Sequence, residues 1–316
     1  MSVLVDPLEN ILYKLVSSFA GGGTGFIGKR LVTLLRSSGY DVTVVSRMPG
    51  LNRITWHDLE AQGLPRGTTA VVNLVGQNVL DPTRRWTPGF KQNVWNSRVN
   101  STASMAKAIA KGSDAPGVFV NISGVSLYPP AGPDSREIFD ESSPGVEYDF
   151  MSRLCIAWEA AAALPPSSDW RGIRLRTGVV LGRQGGMIGN IFLPFYLGLG
   201  GPVASGLQPL PWIHIDDLCA IILLCLTRND ITGHINAVAP HIVSNADFSR
   251  AFAKALRRPA VFKVPELILN ILFARERAVL LTTGARVASK RLPELGYKFQ
   301  YPQIEDACMQ LAERKR

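Results

Sequence analysis

Gly21-Gly22-Gly23-Thr24-Gly25-Phe26-Ile27-Gly28 runs straight into a stretch whose apolar residues Ile27, Leu31, Val32, Leu34 and Leu35 fall at helical spacing. Gly39 ends that stretch, and the β-branched run Tyr40-Asp41-Val42-Thr43-Val44-Val45 follows it. Glycine turn, amphipathic helix and apolar strand, in that order, make up part of a βαβ crossover. The glycines satisfy two spacings at once, Gly23-x-Gly25-x-x-Gly28 and Gly22-x-x-Gly25-x-x-Gly28. Such a turn needs residues without a β-carbon for three reasons: a positive φ, close approach of the backbone to a pyrophosphate, and tight contact between helix and sheet. The helix start then offers oriented N–H groups and partial positive charge to phosphate. In this setting Gly22, Gly23, Thr24, Gly25, Phe26, Ile27 and Gly28 are expected to cradle a dinucleotide.

The end of the second strand chooses the dinucleotide. A site for NAD places a carboxylate there to bind the ribose hydroxyls, whereas this chain has Ser46-Arg47 and no carboxylate until Asp58. A guanidinium pairs with a 2′-phosphate and a serine hydroxyl donates to it, so NADP(H) is the expected cofactor, with Ser46 and Arg47 as its readers. The alternative is that Arg47 is an ordinary solvated loop charge.

Upstream of the glycines, the first strand has two candidates, Val3-Leu4-Val5 and Val16–Ala20, of which the former is the better strand. Asp6-Pro7 followed by Leu8, Ile11, Leu12 and Leu15 reads as a capped helix start, which makes residues 6–20 an insertion that displaces the glycine loop or lets Ser17–Ala20 replace the strand. Downstream, the alternation continues. Ala70–Leu74, Val118–Ile122 and Gly172–Arg176 read as strands, and Phe90–Lys111 and Phe150–Ala163 as helices. Strands separated by helices imply an α/β fold with a Rossmann-type, doubly wound parallel sheet.

At 316 residues the chain has room for two lobes. Residues 1–182 are expected to form the NADP-binding domain. Residues 183–316 are expected to supply cleft loops and a small, mostly helical C-terminal lobe, with segments available to complete the sheet. Gly- and Pro-rich connections around Ile188–Pro202 read as long loops, with Phe192, Phe195, Tyr196 and Trp212 as candidate pocket walls. Leu218–Leu226, Asn245–Leu256 and Pro265–Phe273 read as helices.

The charge balance, 34 Lys+Arg against 25 Asp+Glu, favours anionic ligands. The basic residues are scattered and lack interleaved aromatics, which argues against nucleic acid. The four cysteines form no CxxC pair and no zinc-ligand spacing, so buried thiols in a reducing compartment are expected and no metal. The longest apolar runs fall far short of the roughly 20 residues of a membrane span. The first thirty residues match neither a secretory signal nor an Arg-rich transit peptide. An intracellular protein is expected, cytoplasmic or in the mitochondrial matrix, with no membrane partner.

The glycine loop, Asn73-Leu74-Val75-Gly76 after a strand, the Ser123–Tyr128 segment and Trp212-Ile213-His214-Ile215-Asp216-Asp217 together resemble the extended short-chain dehydrogenase/reductase superfamily. More narrowly the chain is similar to an atypical, epimerase-like subfamily of NADP-dependent oxidoreductases, described as cell-division-inhibitor-like, whose C-terminal module closes here with Leu295–Pro302. That resemblance implies that Leu74 and Val75 lie along the adenosine half of the cofactor. It implies that Arg98, where the superfamily commonly has Asn, points toward the cofactor cleft, a surface arginine being the alternative. It also implies that Thr177-Gly178-Val179-Val180 carries the backbone amide, at Val180, that meets the nicotinamide carboxamide.

The resemblance breaks at the chemistry. Working members pair a Tyr acid/base with a Lys four residues on and a Ser or Thr that positions the carbonyl. Counting back from Glu159 and from Tyr128, those positions hold Met151, Cys155 and Gly124. Ser123, Ser126, Tyr128, Tyr148, Ser152 and Arg153 lie near in sequence without a signature spacing, and packing roles suit them better. His214 reads as a satisfied core histidine before it reads as an acid/base, and Asp216-Asp217 as negative charge at a helix start. The catalytic residues are thus not named by the sequence. The expectation is an NADP(H)-dependent oxidoreductase acting on an unidentified small molecule without the usual relay. The alternative is a non-catalytic NADP(H)-binding sensor.

Overall fold

The computed structural model describes residues 22–81, 84–112, 116–132, 135–273 and 275–313. Both candidate first strands and the whole of the expected insertion therefore lie outside the described residues.

Helix α1 (Phe26–Ser37) takes shape as its apolar spacing predicts, with Leu31 and Leu35 fully buried. The strand expected over residues 40–45 begins only at Val44, as β1 (Val44–Ser46). The residues before it are spent on closing α1, where Gly39 takes φ +83° and the Tyr40 N–H returns to Leu35 O at 3.0 Å. β1 pairs in parallel with β2 (Arg53–Thr55), which leads into α2 (Trp56–Gln62). Asp58 is consumed at this junction. It closes a capping box in which its carboxylate accepts from the Thr55 N–H at 2.7 Å and its own N–H donates to Thr55 Oγ1 at 3.1 Å.

After β3 (Ala70–Asn73) the single long helix expected over 90–111 is instead two, α3 (Pro88–Asn96) and α4 (Val99–Lys111). Ser97 makes the break. Its hydroxyl donates to Val94 O and accepts the Gln77 N–H, both at 2.9 Å, which ties the helix junction to the loop after β3. β4 (Val118–Gly124), α5 (Phe150–Ala161) and β5 (Arg171–Thr177) follow close to expectation.

Next come β6 (Val179–Gly182) and α6 (Gly186–Tyr196). The latter corrects the reading of 188–202 as loop throughout: Gly186, Gly189 and Pro194 argue against a helix, but Ile188 and Phe195 bury themselves against Phe248 and Phe252. Packing outweighs local propensity here. β7 (Pro209–Leu210), β8 (Trp212–His214), α7 (Ile215–Thr227), β9 (Gly233–Ala237), β10 (Val243–Ser244) and α8 (Asn245–Ala255) come next. The chain ends with α9 (Glu266–Phe273), α10 (Arg275–Thr282), α11 (Arg291–Glu294) and α12 (Ile304–Ala312).

The main sheet has the order β3-β4-β5-β9, parallel throughout, with Val120 opposite Ile173 and Leu175 opposite Ile235. Alternate residues feed opposite layers. Val72, Val120, Ile122, Ile173 and Leu175 pack on Leu31 and Leu35 of α1 and on Leu218, Ile221 and Ile222 of α7. Val71 and Phe119 pack on the other side with Leu59 of α2 and Met105 and Ile109 of α4. Fully burying side chains of this size is worth roughly 1.5–3 kcal/mol each, which makes the two-faced sheet the framework of the fold. β9 belongs to the second half of the sequence, so the sheet is completed from there. The pair β6-β8 lies apart from it.

Among the contacts that fasten the C-terminal helices to the first half are two from α10. The buried Arg277 guanidinium donates to Arg84 O at 2.6 Å and to Asp81 O while lying over Trp86, Phe90 and Phe273. Glu276 accepts from the Trp86 indole at 2.9 Å and from Lys91. Among the described residues no helix is long and apolar enough to cross a membrane.

Candidate functional site

The glycine loop is built from close backbone contacts. Gly22 takes φ +89°, where an L side chain is strained, and a β-carbon on it would lie 2.8 Å from Leu74 O. The Gly25 N–H donates to Gly22 O at 2.7 Å to form the turn, and a β-carbon on Gly28 would lie 2.2 Å from that same oxygen and 2.6 Å from Gly23 Cα. Thr24 is exposed at the tip, and Ile27 leans into the core. Phe26 turns away from the loop, its ring filling the space over Gly182, Gly185 and Gly186. Gly25 caps α1 without a side-chain bond, and the first turn holds no acidic residue. Its N–H groups therefore keep their capacity for an anion.

The loop, the end of β1 and the segment after β3 hold the other predicted residues. Ser46 donates to Met48 O and accepts the Met48 N–H at 3.2 Å, and Arg47 is exposed with no ion pair among the described residues. Leu74 and Val75 are half-buried, and Leu74 O abuts Gly22. A buried bond holds them in place: Asn73 donates to Thr102 Oγ1 at 2.6 Å and to Asn121 Oδ1 at 2.7 Å, and its Oδ1 accepts the Val75 N–H at 3.1 Å. Arg98, freed by the helix break, tucks its guanidinium against Gly76, where a β-carbon would lie 2.9 Å away. It donates to Gln77 O at 3.0 Å and lies over the Trp158 ring. Burial lowers its pKa to about 10, which leaves it cationic at neutral pH. Arg98 is thus no surface side chain. Val180 lies in β6, paired with Ile213.

Of the three positions counted for the relay, the structure places Gly124 beside Cys155 and packs Met151 in a separate aromatic group. Gly124 ends β4, with a would-be β-carbon 3.4 Å from the Cys155 sulfur, and burial pushes the Cys155 thiol up to about 12. Met151 packs with Phe90, Val94, Leu154 and the aromatic group Trp86, Trp95 and Phe150. The neighbours are committed elsewhere. Tyr148 donates to Ser126 O at 2.7 Å and Tyr128 O at 3.0 Å, and burial raises its pKa further. Ser152 closes a capping box with Asp149, and Arg153 lies exposed on α5. Ser123 Oγ is buried with no partner among the described residues.

Sequence reasoning used Glu159 only as a counting landmark and missed its role. Arg176 donates to both its oxygens at 2.9 Å and to Tyr128 Oη at 2.8 Å, and Tyr128 in turn donates to Asp140 O at 2.8 Å. Burial pushes the Glu159 carboxyl up, but hydrogen bonds and charge from His234 and Arg176 outweigh it and hold the pKa near about 2. The signal was present, since a carboxylate on a buried helix face needs a cation and β5 offers arginines at alternating positions. Asp217 was also undervalued. Asp216 is the helix-start charge and pairs with Arg30 at 2.6 Å, whereas Asp217 is buried and accepts from Tyr297 Oη at 2.8 Å and from the Gln300 and Tyr301 N–H groups at 2.7 and 3.0 Å.

His214 is the core histidine expected, its Nε2 against Gln310 Oε1 at 3.0 Å and its Nδ1 accepting the Asp216 N–H. Phe195 and Trp212, expected as pocket walls, are buried in the second lobe's core, and Phe192 stacks on Tyr196 beside them. All four cysteines are free and buried. No group of three or more His, Cys, Asp or Glu among the described residues is placed to hold a metal ion.

Residues 21–238, which carry the glycine turn and the strands of the parallel sheet, match the family model of the NAD dependent epimerase/dehydratase family. The chain belongs to that family. A domain of unknown function (DUF1731) matches residues 264–311, the C-terminal helices of this epimerase-family chain. Epimerase family protein SDR39U1 of Bos taurus is 46% identical over 292 residues, covering 92% of this chain and 98% of its own. A crystal structure of human epimerase family protein SDR39U1 with NADPH superposes with TM-score 0.90 at 44% identity, covering 93% of this chain and 98% of that one. A nucleoside-diphosphate sugar epimerase from Corynebacterium glutamicum superposes with TM-score 0.73 at 27% identity, covering 94% of this chain and 58% of its own.

Proposed function

We propose that this epimerase-family chain binds NADP(H) across the carboxyl edge of its sheet and serves as an oxidoreductase whose proton exchange bypasses the Ser/Tyr/Lys relay. The observation that carries the binding is the uncapped, acid-free start of α1 behind glycines too crowded for any β-carbon. NADPH in the human relative's structure supports the same reading. Arg47 holds the 2′-phosphate, with Ser46 turning its hydroxyl from Met48 O to donate beside it, the α1 N–H groups hold the pyrophosphate, Leu74 and Val75 the adenosine side, and Val180 the carboxamide end. Arg98 adds a buried positive charge under the loop at Gly76. When bound, the cofactor supplies hydride to a carbonyl carbon or accepts it from an alcohol. The chain's residues orient the partner molecule, and the proton passes to or from water, because Gly124, Met151 and Cys155 hold no group that exchanges one at neutral pH.

That same vacancy of acid and base favours a second reading, a non-catalytic NADP(H)-binding sensor. Titration calorimetry with NADPH and NADH, on the native chain and on Arg47→Asp, tests the binding. NADPH is expected to bind tighter than NADH, with the preference lost in Arg47→Asp. Equal affinities in both proteins would overturn the assignment of Arg47. Following NADPH absorbance over a panel of carbonyl compounds then separates the readings, since sustained substrate-dependent oxidation supports the oxidoreductase and tight binding without turnover the sensor.

A further inference from the structure

We infer that the chain carries a second anion site, separate from the dinucleotide loop, that takes a small phosphorylated molecule. A cavity of about 470 Å3 opens between α1, the turn from β6 to α6, the start of α7 and α12. Lys29, Arg30 and Thr33 line it from α1, Arg183 and Gln184 from the turn, and His214, Asp216 and Gln310 from the far side. Phe26 forms part of the wall, its ring packed onto Gly182, Gly185 and Gly186, so the cavity lies behind the loop that faces the dinucleotide.

The charges do not balance within this cavity. Asp216 is the sole carboxylate among the lining residues, and Arg30 Nε already holds it at 2.6 Å. Arg183 spends its guanidinium on Leu311 O at 2.6 Å and on the face of Phe192. Lys29 has no ion-pair partner among the described residues and stands exposed at the rim. The imidazole on the floor is buried and neutral: its Nδ1 accepts the Asp216 N–H, so Nε2 carries the proton and donates to Gln310 Oε1 at 3.0 Å. Burial lowers the pKa of His214 and keeps it in this form. That bond fixes the Gln310 amide with its N–H2 as the end left to donate. The cavity therefore presents an unpaired ammonium, the outer N–H groups of Arg30 and an oriented amide donor, with an apolar wall at Phe26 and Ile215. Donors without matching acceptors, beside net positive charge in a partly enclosed space, are the complement of a phosphate group, and the volume leaves room for the rest of a small metabolite.

The experiment is titration calorimetry with ADP and with inorganic pyrophosphate on the full chain, with the dinucleotide site saturated by NADPH and again without NADPH. Binding of at least one probe is expected under both conditions, weakened roughly tenfold in Lys29→Gln, which removes the free charge without placing an acid in the first turn of α1. Thr33→Glu, placing a carboxylate on the same rim, is expected to weaken it likewise. Both positions are exposed, and unchanged melting temperature and NADPH affinity in the variants show that the fold and the dinucleotide site are intact. Absence of heat from both probes overturns the proposal, and so does binding indifferent to both substitutions. The titrations without NADPH report on this cavity through its Lys29 dependence alone, so failure of the dinucleotide reading would be seen separately.

Discussion

The sulfur of Cys155 lies 3.4 Å from the point where a β-carbon on Gly124 would project. Two of the positions counted for the relay thus face one another at the end of β4, one bare and the other a thiol. Burial dominates the chemistry of that thiol and pushes it up to about 12, although the Arg98 charge pulls the other way. Cys219 and Cys225 are pushed to about 12 by the same cause, and Cys308 is raised as well. Because the thiolate is the nucleophile, none of the four is expected to react with Ellman's reagent at pH 8 until the chain is unfolded in guanidinium, when all four do. Prompt reaction of one thiol in the folded chain would contradict this.

Glu159→Gln is expected to destabilise the fold by about 3 kcal/mol at pH 7, because it leaves the buried Arg176 with half of its anchor. The pH dependence has a definite sign. The folded carboxyl titrates near about 2 against 4.5 for an unpaired one, so its contribution is full above pH 4.5 and fades as pH falls toward 2. Denaturant melts of both proteins at pH 7 and pH 3 should show the gap narrowing at the lower pH. A gap that widens would refute the assignment.

Gly28→Ala would force a methyl group to within 2.2 Å of Gly22 O and 2.6 Å of Gly23 Cα, both of them backbone. Neither atom can swing aside as a side-chain tip would. A loss of about 2–3 kcal/mol in stability is expected. NADPH affinity should fall by roughly a hundredfold as the turn widens. Calorimetry on variant protein that still melts cooperatively would decide this, and unchanged affinity would count against the glycine loop as the binding element.

Asp217→Ala removes the acceptor of three donors, two of them the backbone N–H groups of Gln300 and Tyr301. Buried donors without partners are costly, and about 3 kcal/mol is expected to be lost. The segment from Tyr297 onward should become sensitive to limited proteolysis well before the sheet does. Asp216→Ala serves as the contrast, since its pairing with Arg30 is partly exposed and its removal is expected to cost less than 1 kcal/mol.

What could be seen in the sequence was local. The spacing of Ile27, Leu31 and Leu35 with the glycines before them specifies α1 and its turn, because the signal lies within a dozen neighbouring residues. The α6 helix was hidden, since Gly186, Gly189 and Pro194 point away from a helix and the residues that compensate, Phe248 and Phe252, come some fifty positions later. The break at Ser97 depends on the Gln77 N–H, twenty residues earlier. Asp217 looked like its neighbour Asp216 because the difference between them is set by Tyr297, eighty residues on. Gly124, Met151 and Cys155 could be read one residue at a time, whereas the Glu159–Arg176 pair needed the register of α5 against β5.

Phe26 joins the nucleotide loop to the second lobe through one ring. It lies within 2.6 Å of the place a β-carbon would take on Gly182, 2.8 Å at Gly185 and 3.0 Å at Gly186. Three glycines make room for that ring, and through it the opening turn of α1 meets the entry to α6. A side chain on any of those three glycines would meet the ring, so the entry to α6 and the cavity beside it take their shape from a phenylalanine in the first turn of α1.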